Sequence, residues 1–212
     1  MAAQDKQIDL SRRYTVQEYF RITRDCEGKY EYDNGRLIDM RAEAEAMAGG
    51  TFEHSLLIMN CGRHIGNALQ GKPCVALDSN LRVRIGNKQK YRYPDVTVAC
   101  GVPAFAPDDD DRITLLNPTL VLEVLSESSE KFDRGEKFAE YMQIESLREY
   151  VLIGQRRPRV EHYYRHDDGT WQFDFAEGTD AVAKLRSIDV ELKLADVYAG
   201  VTFPPAEESA AV

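Results

Sequence analysis

The stretch Leu120-Val121-Leu122-Glu123-Val124-Leu125 is the most hydrophobic strand-like run in the chain, and a single carboxylate sits inside it. A short apolar run with no polar alternation reads as a strand covered on both faces, which places it centrally in a sheet. Glu123 interrupts that run near its middle. An unpaired carboxylate buried there costs several kcal/mol, so the protein must neutralise it, pair it with a cation, or use it to hold a metal ion. A structural ion pair and a metal ligand are the two readings of Glu123.

Upstream, Pro94-Asp95-Val96-Thr97-Val98-Ala99 reads as a second strand opening on a proline, with Asp95 lying 28 residues before Glu123. Leu81, Val83 and Ile85 alternate with Arg82 and Arg84, the pattern of a strand with one buried face. Downstream, the spacing predicts a helix from about Asp133 to Ile144. The apolar strand Tyr150-Val151-Leu152-Ile153 and a hairpin turning at Asp167-Asp168-Gly169 follow it. Toward the N-terminus, Thr15 and Glu18 have the spacing of a capping box that starts a helix. Asn34-Gly35 between two β-prone runs signals a hairpin. Gly49-Gly50-Thr51 opens a long helix with an apolar stripe of Leu57, Cys61, Ile65 and Ala68. This order predicts one α/β domain over residues 1–212, a mixed β-sheet flanked by helices, with 1–12 and 204–212 as flexible tails.

A chain of 212 residues that is 43% hydrophobic and 30% charged can bury one sizeable core, and its composition excludes wholesale disorder. No run approaches the roughly 20 apolar residues of a membrane span. The opening MAAQDKQIDL lacks the apolar core of a secretory signal, so a cytoplasmic location without a membrane partner is expected. Cys26, Cys61, Cys74 and Cys100 are scattered with no CxxC pair, which favours reduced thiols over a disulfide framework or zinc site. The net charge of −9 excludes a generally basic protein that coats nucleic acid, although a local basic groove is compatible with it.

Asp95 and Glu123 on neighbouring strands could converge on one divalent ion. Mg²⁺ takes one or two carboxylates plus waters and substrate phosphates, the arrangement behind metal-assisted phosphodiester hydrolysis. On the predicted helix Lys137 shares a stripe with Tyr141 and Ile144, facing the sheet. There it either polarises an attacking water and stabilises phosphate charge, or simply pairs with Asp133 four residues earlier. Between Asn80 and Pro94 lie Arg82, Arg84, Lys88, Lys90 and Arg92 with no acidic residue, a candidate phosphate-tracking edge or else a solvated strand face. His54 reads as structural or as a supporting partner of the site. His162 and His166 lie in a strand-like setting that does not suit a helical metal pair.

Tyr30–Met40 (YEYDNGRLIDM), Tyr93–Val98 (YPDVTV) and Leu120–Tyr141 (LVLEVLSESSEKFDRGEKFAEY), in this order, closely resemble the Uma family of restriction-endonuclease-like proteins, a large bacterial family abundant in cyanobacteria. The resemblance runs from about Thr15 to Ile153 and implies a PD-(D/E)XK nuclease core. By it, Asp95 is the aspartate of PD, Glu123 is the (D/E) residue, and Glu31 helps to hold the metal. The lysine two residues after Glu123 is replaced by Leu125, and the resemblance implies that Lys137 on the next helix takes its role. It further implies a Mg²⁺ (or Mn²⁺) cofactor and DNA as substrate. The alternative is a non-catalytic nucleic-acid-binding or regulatory module that keeps the nuclease fold. Cutting two strands is simplest for a two-fold dimer, so a homodimer is expected.

Overall fold

The computed structural model describes residues 8–26, 28–40, 42, 51–86, 89–107, 109 and 111–203. The chain begins with helix α1 (Val16–Asp25), where the Thr15 side chain and Glu18 close the expected capping box. Strands β1 (Tyr30–Asp33) and β2 (Arg36–Asp39) follow as a hairpin. Its two turn residues, Asn34 and Gly35, both adopt positive φ (48° and 94°), as a tight two-residue hairpin turn requires. Helix α2 (Phe52–Ala68) starts at the N-cap Thr51, and its stripe of Leu57, Cys61 and Ile65 is buried. Ala68 is exposed, and Leu69 takes its place as the last buried residue of the stripe. Gly49 and Gly50 lie outside the described residues.

The strands then come in quick succession: β3 (Cys74–Asp78), β4 (Arg82–Ile85), β5 (Lys90–Arg92), β6 (Val96–Cys100), β7 (Thr114–Leu115) and β8 (Leu120–Val124). Two short helices, α3 (Glu130–Arg134) and α4 (Glu136–Tyr141), replace the single helix predicted from Asp133 to Ile144. The break falls at Gly135, whose ψ of −93° is not helical. A glycine inside a helix costs about 1 kcal/mol relative to alanine, so this is where the helix gives way. Strands β9 (Glu149–Ile153), β10 (Arg159–Arg165) and β11 (Trp171–Glu177) come next. The hairpin of β12 (Val182–Leu185) with β13 (Val190–Lys193) and a last turn, α5 (Leu194–Val197), complete the order.

Where the sequence predicts one mixed sheet, the described residues form two mixed sheets and a separate two-stranded hairpin. The larger sheet runs β11-β10-β9-β8-β6-β3, and its only parallel pair is β8 with β9. β8 is central in it, as its apolar sequence requires. The second sheet runs β2-β1-β5-β4-β7. One face of the larger sheet, through Leu120, Leu122 and Val124, packs on α2, β13 and α5. The opposite face, through Val121 and Leu125, packs on Tyr141 and Ile144 together with Val83 and Ile85 of β4. A third, aromatic core of Tyr14, Tyr19, Phe20, Tyr32 and Tyr91 fixes α1 to the second sheet.

One expectation is corrected here. Cys74 and Cys100 form a disulfide, because the antiparallel register of β3 and β6 sets them directly opposite, with Cα atoms 4.0 Å apart. Their distance along the chain carried no hint of that register. Cys26 and Cys61 are free thiols. Of the expected tails, residues 1–7 and 204–212 lie outside the described set. Within 8–12, Ser11 bonds to Asp9 and Arg12 pairs with Glu18.

Candidate functional site

Residue alternation along β8 decides which way Glu123 points. Leu120, Leu122 and Val124 enter the core beneath α2, so Glu123 leaves the other face with Val121 and Leu125. The register of β6 against β8 pairs Val96 with Leu122, and one further step along it sets Asp95 across from Glu123. The Val124 N–H donates to Asp95 Oδ2 at 2.7 Å, which locks this carboxylate onto the neighbouring strand. The two acidic residues singled out in the sequence are thus brought together.

Lys137 joins them from α4. Its Nζ lies 2.8 Å from Glu123 Oε1 and 3.1 Å from Asp133 Oδ1, and its side chain is only 14% exposed. The sequence posed a site lysine and an Asp133 pair as alternatives, and the structure joins both in one buried cluster. The Asp133 contact lacks hydrogen-bond geometry, so Asp133 Oδ1 is buried with an ion pair but no donor. The Tyr141 hydroxyl also donates to Glu123 Oε1, at 2.9 Å. Burial pushes the Glu123 carboxyl up to about 8; Lys137 works against this, and Asp95 and Asp133 reinforce it. Burial disfavours the Lys137 ammonium, but Glu123 and Asp133 outweigh it and hold the lysine charged.

Glu31 is placed beside this cluster and held by protein donors. Continuing the β1–β5 register beyond Tyr32–Tyr91 sets it across from Arg92, whose guanidinium bonds Glu31 Oε2 at 2.8 Å, while the Tyr93 N–H takes Oε1 at 2.9 Å. Arg92 also bonds both oxygens of Glu140 on α4, tying the second sheet to the helix that carries Lys137. Burial opposes the Arg92 charge, and Glu31 and Glu140 more than offset it.

Arg82 and Arg92 do not join the expected phosphate-tracking edge, because both are buried. Arg82 is buried against the rings of Tyr19 and Phe20, with bonds to Thr114 and Thr23 and an ion pair to Asp109. Arg92 is buried in its acidic clasp, and Lys90 pairs with Asp33 and Glu140. Arg84 is half-buried on β4, and Lys88 lies outside the described residues. The alternation along β4 was read as one buried and one solvated face. Helix α1 covers the second face, so Arg82 turns inward.

Sequence reasoning missed Lys29, in the loop before β1. Its ammonium sits 4.6 Å from the centroid of the Tyr93 ring. Burial lowers its pKa, opposed by the charges of Asp95, Glu31, Asp78 and Glu123. No periodicity marks a loop residue, so only the fold reveals it. His162 belongs elsewhere: it bonds the fully buried Glu149 at 3.1 Å.

The donor set suits a hard divalent cation, because Mg²⁺ needs only one or two carboxylates with waters and substrate completing its shell. Among the described residues no hydrogen bond reaches Glu123 Oε2 or Asp95 Oδ1, and Asp133 Oδ1 has no donor. Negative charge is therefore left for a cation to relieve. Among the described residues no set of three or more His, Cys, Asp or Glu side chains is arranged around a metal position, so Asp95 and Glu123 form the candidate pair on their own.

A six-stranded mixed sheet, flanked by helices and carrying an acidic pair with a buried lysine on one face, defines a restriction-endonuclease-like α/β fold. The chain belongs to the Uma2 family, described as "Putative restriction endonuclease", whose profile matches residues 16–195. An uncharacterized protein of Synechocystis sp. is 32% identical to it over 90% of this chain and 94% of the relative. A second uncharacterized Synechocystis protein is 32% identical over 79% of this chain and 89% of its own length. The fold is similar to the crystal structure of "a putative nuclease belonging to DUF820" from Anabaena variabilis. The TM-score is 0.68 at 18% identity, covering 89% of this chain and 99% of the other.

Proposed function

We propose that this protein is a divalent-metal-dependent DNA endonuclease that hydrolyses phosphodiester bonds. The observation that carries the reading is the Lys137 ammonium 2.8 Å from Glu123 Oε1, and the reading takes this lysine as the substitute for the motif lysine that Leu125 replaces. In this reading Asp95 and Glu123 hold Mg²⁺ (or Mn²⁺), which when bound supplies Lewis acidity at the phosphate and acidifies a water. The Val124 N–H keeps Asp95 oriented, and Tyr141 and Lys137 together fix Glu123 Oε1. Lys137 orients the attacking water and stabilises charge that builds on the phosphate oxygens. Glu31 supports the site through Arg92 and Tyr93. The family description and the relatives' fold support a nuclease, and the site chemistry supports the metal. The reading includes a homodimer, the simplest way to cut both strands. It also includes a cytoplasmic setting, where the Cys74–Cys100 bond would face a reducing thiol pool. Among the described residues no helix is long and apolar enough to cross a membrane.

Incubation of the purified chain with plasmid and single-stranded DNA in Mg²⁺ or Mn²⁺ tests the proposal. Metal-dependent cutting that is lost in Asp95→Asn supports it, and no cleavage across broad conditions overturns it. The second reading, a non-catalytic module with the nuclease fold, is favoured by one observation: Glu123 Oε1 is already engaged by both Lys137 and Tyr141. Absence of Mg²⁺ and Mn²⁺ affinity alongside measurable DNA binding would establish that reading.

A further inference from the structure

Thr51, His54 and Gln155 close a ring of hydrogen bonds beside Asp95. The Thr51 hydroxyl oxygen accepts from the His54 backbone N–H at 3.1 Å and the hydroxyl donates to Gln155 Oε1 at 3.2 Å. The Gln155 side-chain nitrogen lies 2.9 Å from His54 Nδ1. Thr51 is the N-cap of α2, whereas Gln155 follows β9, so the ring joins elements that are distant in the chain.

The ring dictates where the imidazole proton sits. With Oε1 placed at the Thr51 hydroxyl, the amide nitrogen of Gln155 faces the imidazole, and the Asp95 carboxylate beyond Nε2 favours the same arrangement, because a bare ring nitrogen would repel it. An amide nitrogen donates and does not accept, so Nδ1 must be the acceptor. The neutral ring then carries its proton on Nε2, and Nε2 faces Asp95 Oδ1 at 3.7 Å. The other Asp95 oxygen is held by the Val124 N–H at 2.7 Å.

We infer that His54 is a positioning residue for Asp95, held by Gln155 and Thr51 as the Nε2–H tautomer, and is not itself a metal ligand. A ring nitrogen that bears a proton has no lone pair to offer a metal. The Val124 N–H holds one Asp95 oxygen by a hydrogen bond, and the Nε2 edge of His54 faces the other at 3.7 Å, an electrostatic contact longer than a hydrogen bond that favours this orientation of the carboxylate. The consequence for metal affinity rests on the proposed function; the tautomer does not. Partners of this kind alter metal affinity by about 10–100-fold when removed.

Two measurements on the full chain test this. In long-range nitrogen NMR of the metal-free protein, His54 should show the Nε2–H pattern, and Gln155→Leu should lose it. In Mn²⁺ titration calorimetry, His54→Ala should bind about 10-fold more weakly or worse. His54→Gln, whose amide can offer a donor near the Nε2 position, should recover most of that loss. An Nδ1–H pattern in the wild type, or wild-type Mn²⁺ affinity in His54→Ala, overturns the inference. A wild-type chain that binds no Mn²⁺ overturns the proposed function instead, and the nitrogen spectrum alone then decides the His54 assignment.

Discussion

The Lys137 ammonium and the Glu123 carboxylate meet at 2.8 Å although fourteen residues separate them in the chain. A turn, one short helix and a break at Gly135 bring α4 back over β8, so the pair is a product of the fold and not of local sequence. Because Lys137 is buried between Glu123 and Asp133, it carries structural as well as chemical weight.

Lys137→Ala should therefore do two things. Any cleavage should fall by about 10²-fold or more, the scale of losing a transition-state charge stabiliser. Stability should also fall by about 3 kcal/mol at pH 8, because the buried Asp133 and the ionised fraction of Glu123 lose their cation. Urea unfolding at pH 8 measures the second effect, and a loss of only a few tenths would mean that the lysine is a solvated surface group.

Glu123 gives a pH dependence with a definite sign. Its carboxyl, raised by burial to about 8, keeps its proton in the metal-free folded state where the unfolded chain, near 4.5, has lost it. Folding then takes up a proton, so this group's contribution lowers stability as pH rises from about 4.5 to about 8 and levels off above. Glu123→Gln cannot ionise and should show a shallower decline across that window. Unfolding curves in EDTA from pH 5 to 9 check this; identical slopes for the two proteins would refute it.

Tyr141→Phe isolates one hydrogen bond. The ring stays in the core and only the 2.9 Å contact to Glu123 Oε1 is lost. Equilibrium unfolding should record a cost of about 0.5–1.5 kcal/mol. No measurable change would show that water or Lys137 replaces the hydroxyl.

The Cys74–Cys100 bond closes a loop with a sequence separation of 26 residues. Chain-entropy arguments give a cross-link of that span roughly 3 kcal/mol of stabilisation. Comparing the wild type with Cys74→Ser/Cys100→Ser in urea measures it. In the same protein Cys61 should resist thiol reagents until unfolding, since burial pushes its thiol up to about 12.

Asp95 and Glu123 were legible because a carboxylate stands out in an apolar strand, and a strand's period of two says little about the chain beyond it. Lys137 was legible through its helical stripe shared with Tyr141, although Gly135 divides that helix. The fates of Arg82 and Arg92 were not legible. The strand of Arg82 alternates as a half-exposed one does, Arg92 lies on the strand after it, and only tertiary packing of α1 on β4, and of Glu31 and Glu140 around Arg92, buries them. The disulfide was hidden for a related reason: cross-strand register is a long-range property that cysteine spacing does not encode. Gln155 carries no motif of its own, and its bond to His54 spans a sequence separation of 101 residues.

The proposed function requires Asp95 and Glu123 together to hold a divalent ion. A crystal soaked in Mn²⁺, with anomalous data collected at the manganese edge, tests it most directly. One strong peak is expected between the two carboxylates, on the side of Asp95 Oδ1 and Glu123 Oε2. An empty site at high Mn²⁺, with Lys137 still in contact with Glu123, would contradict it.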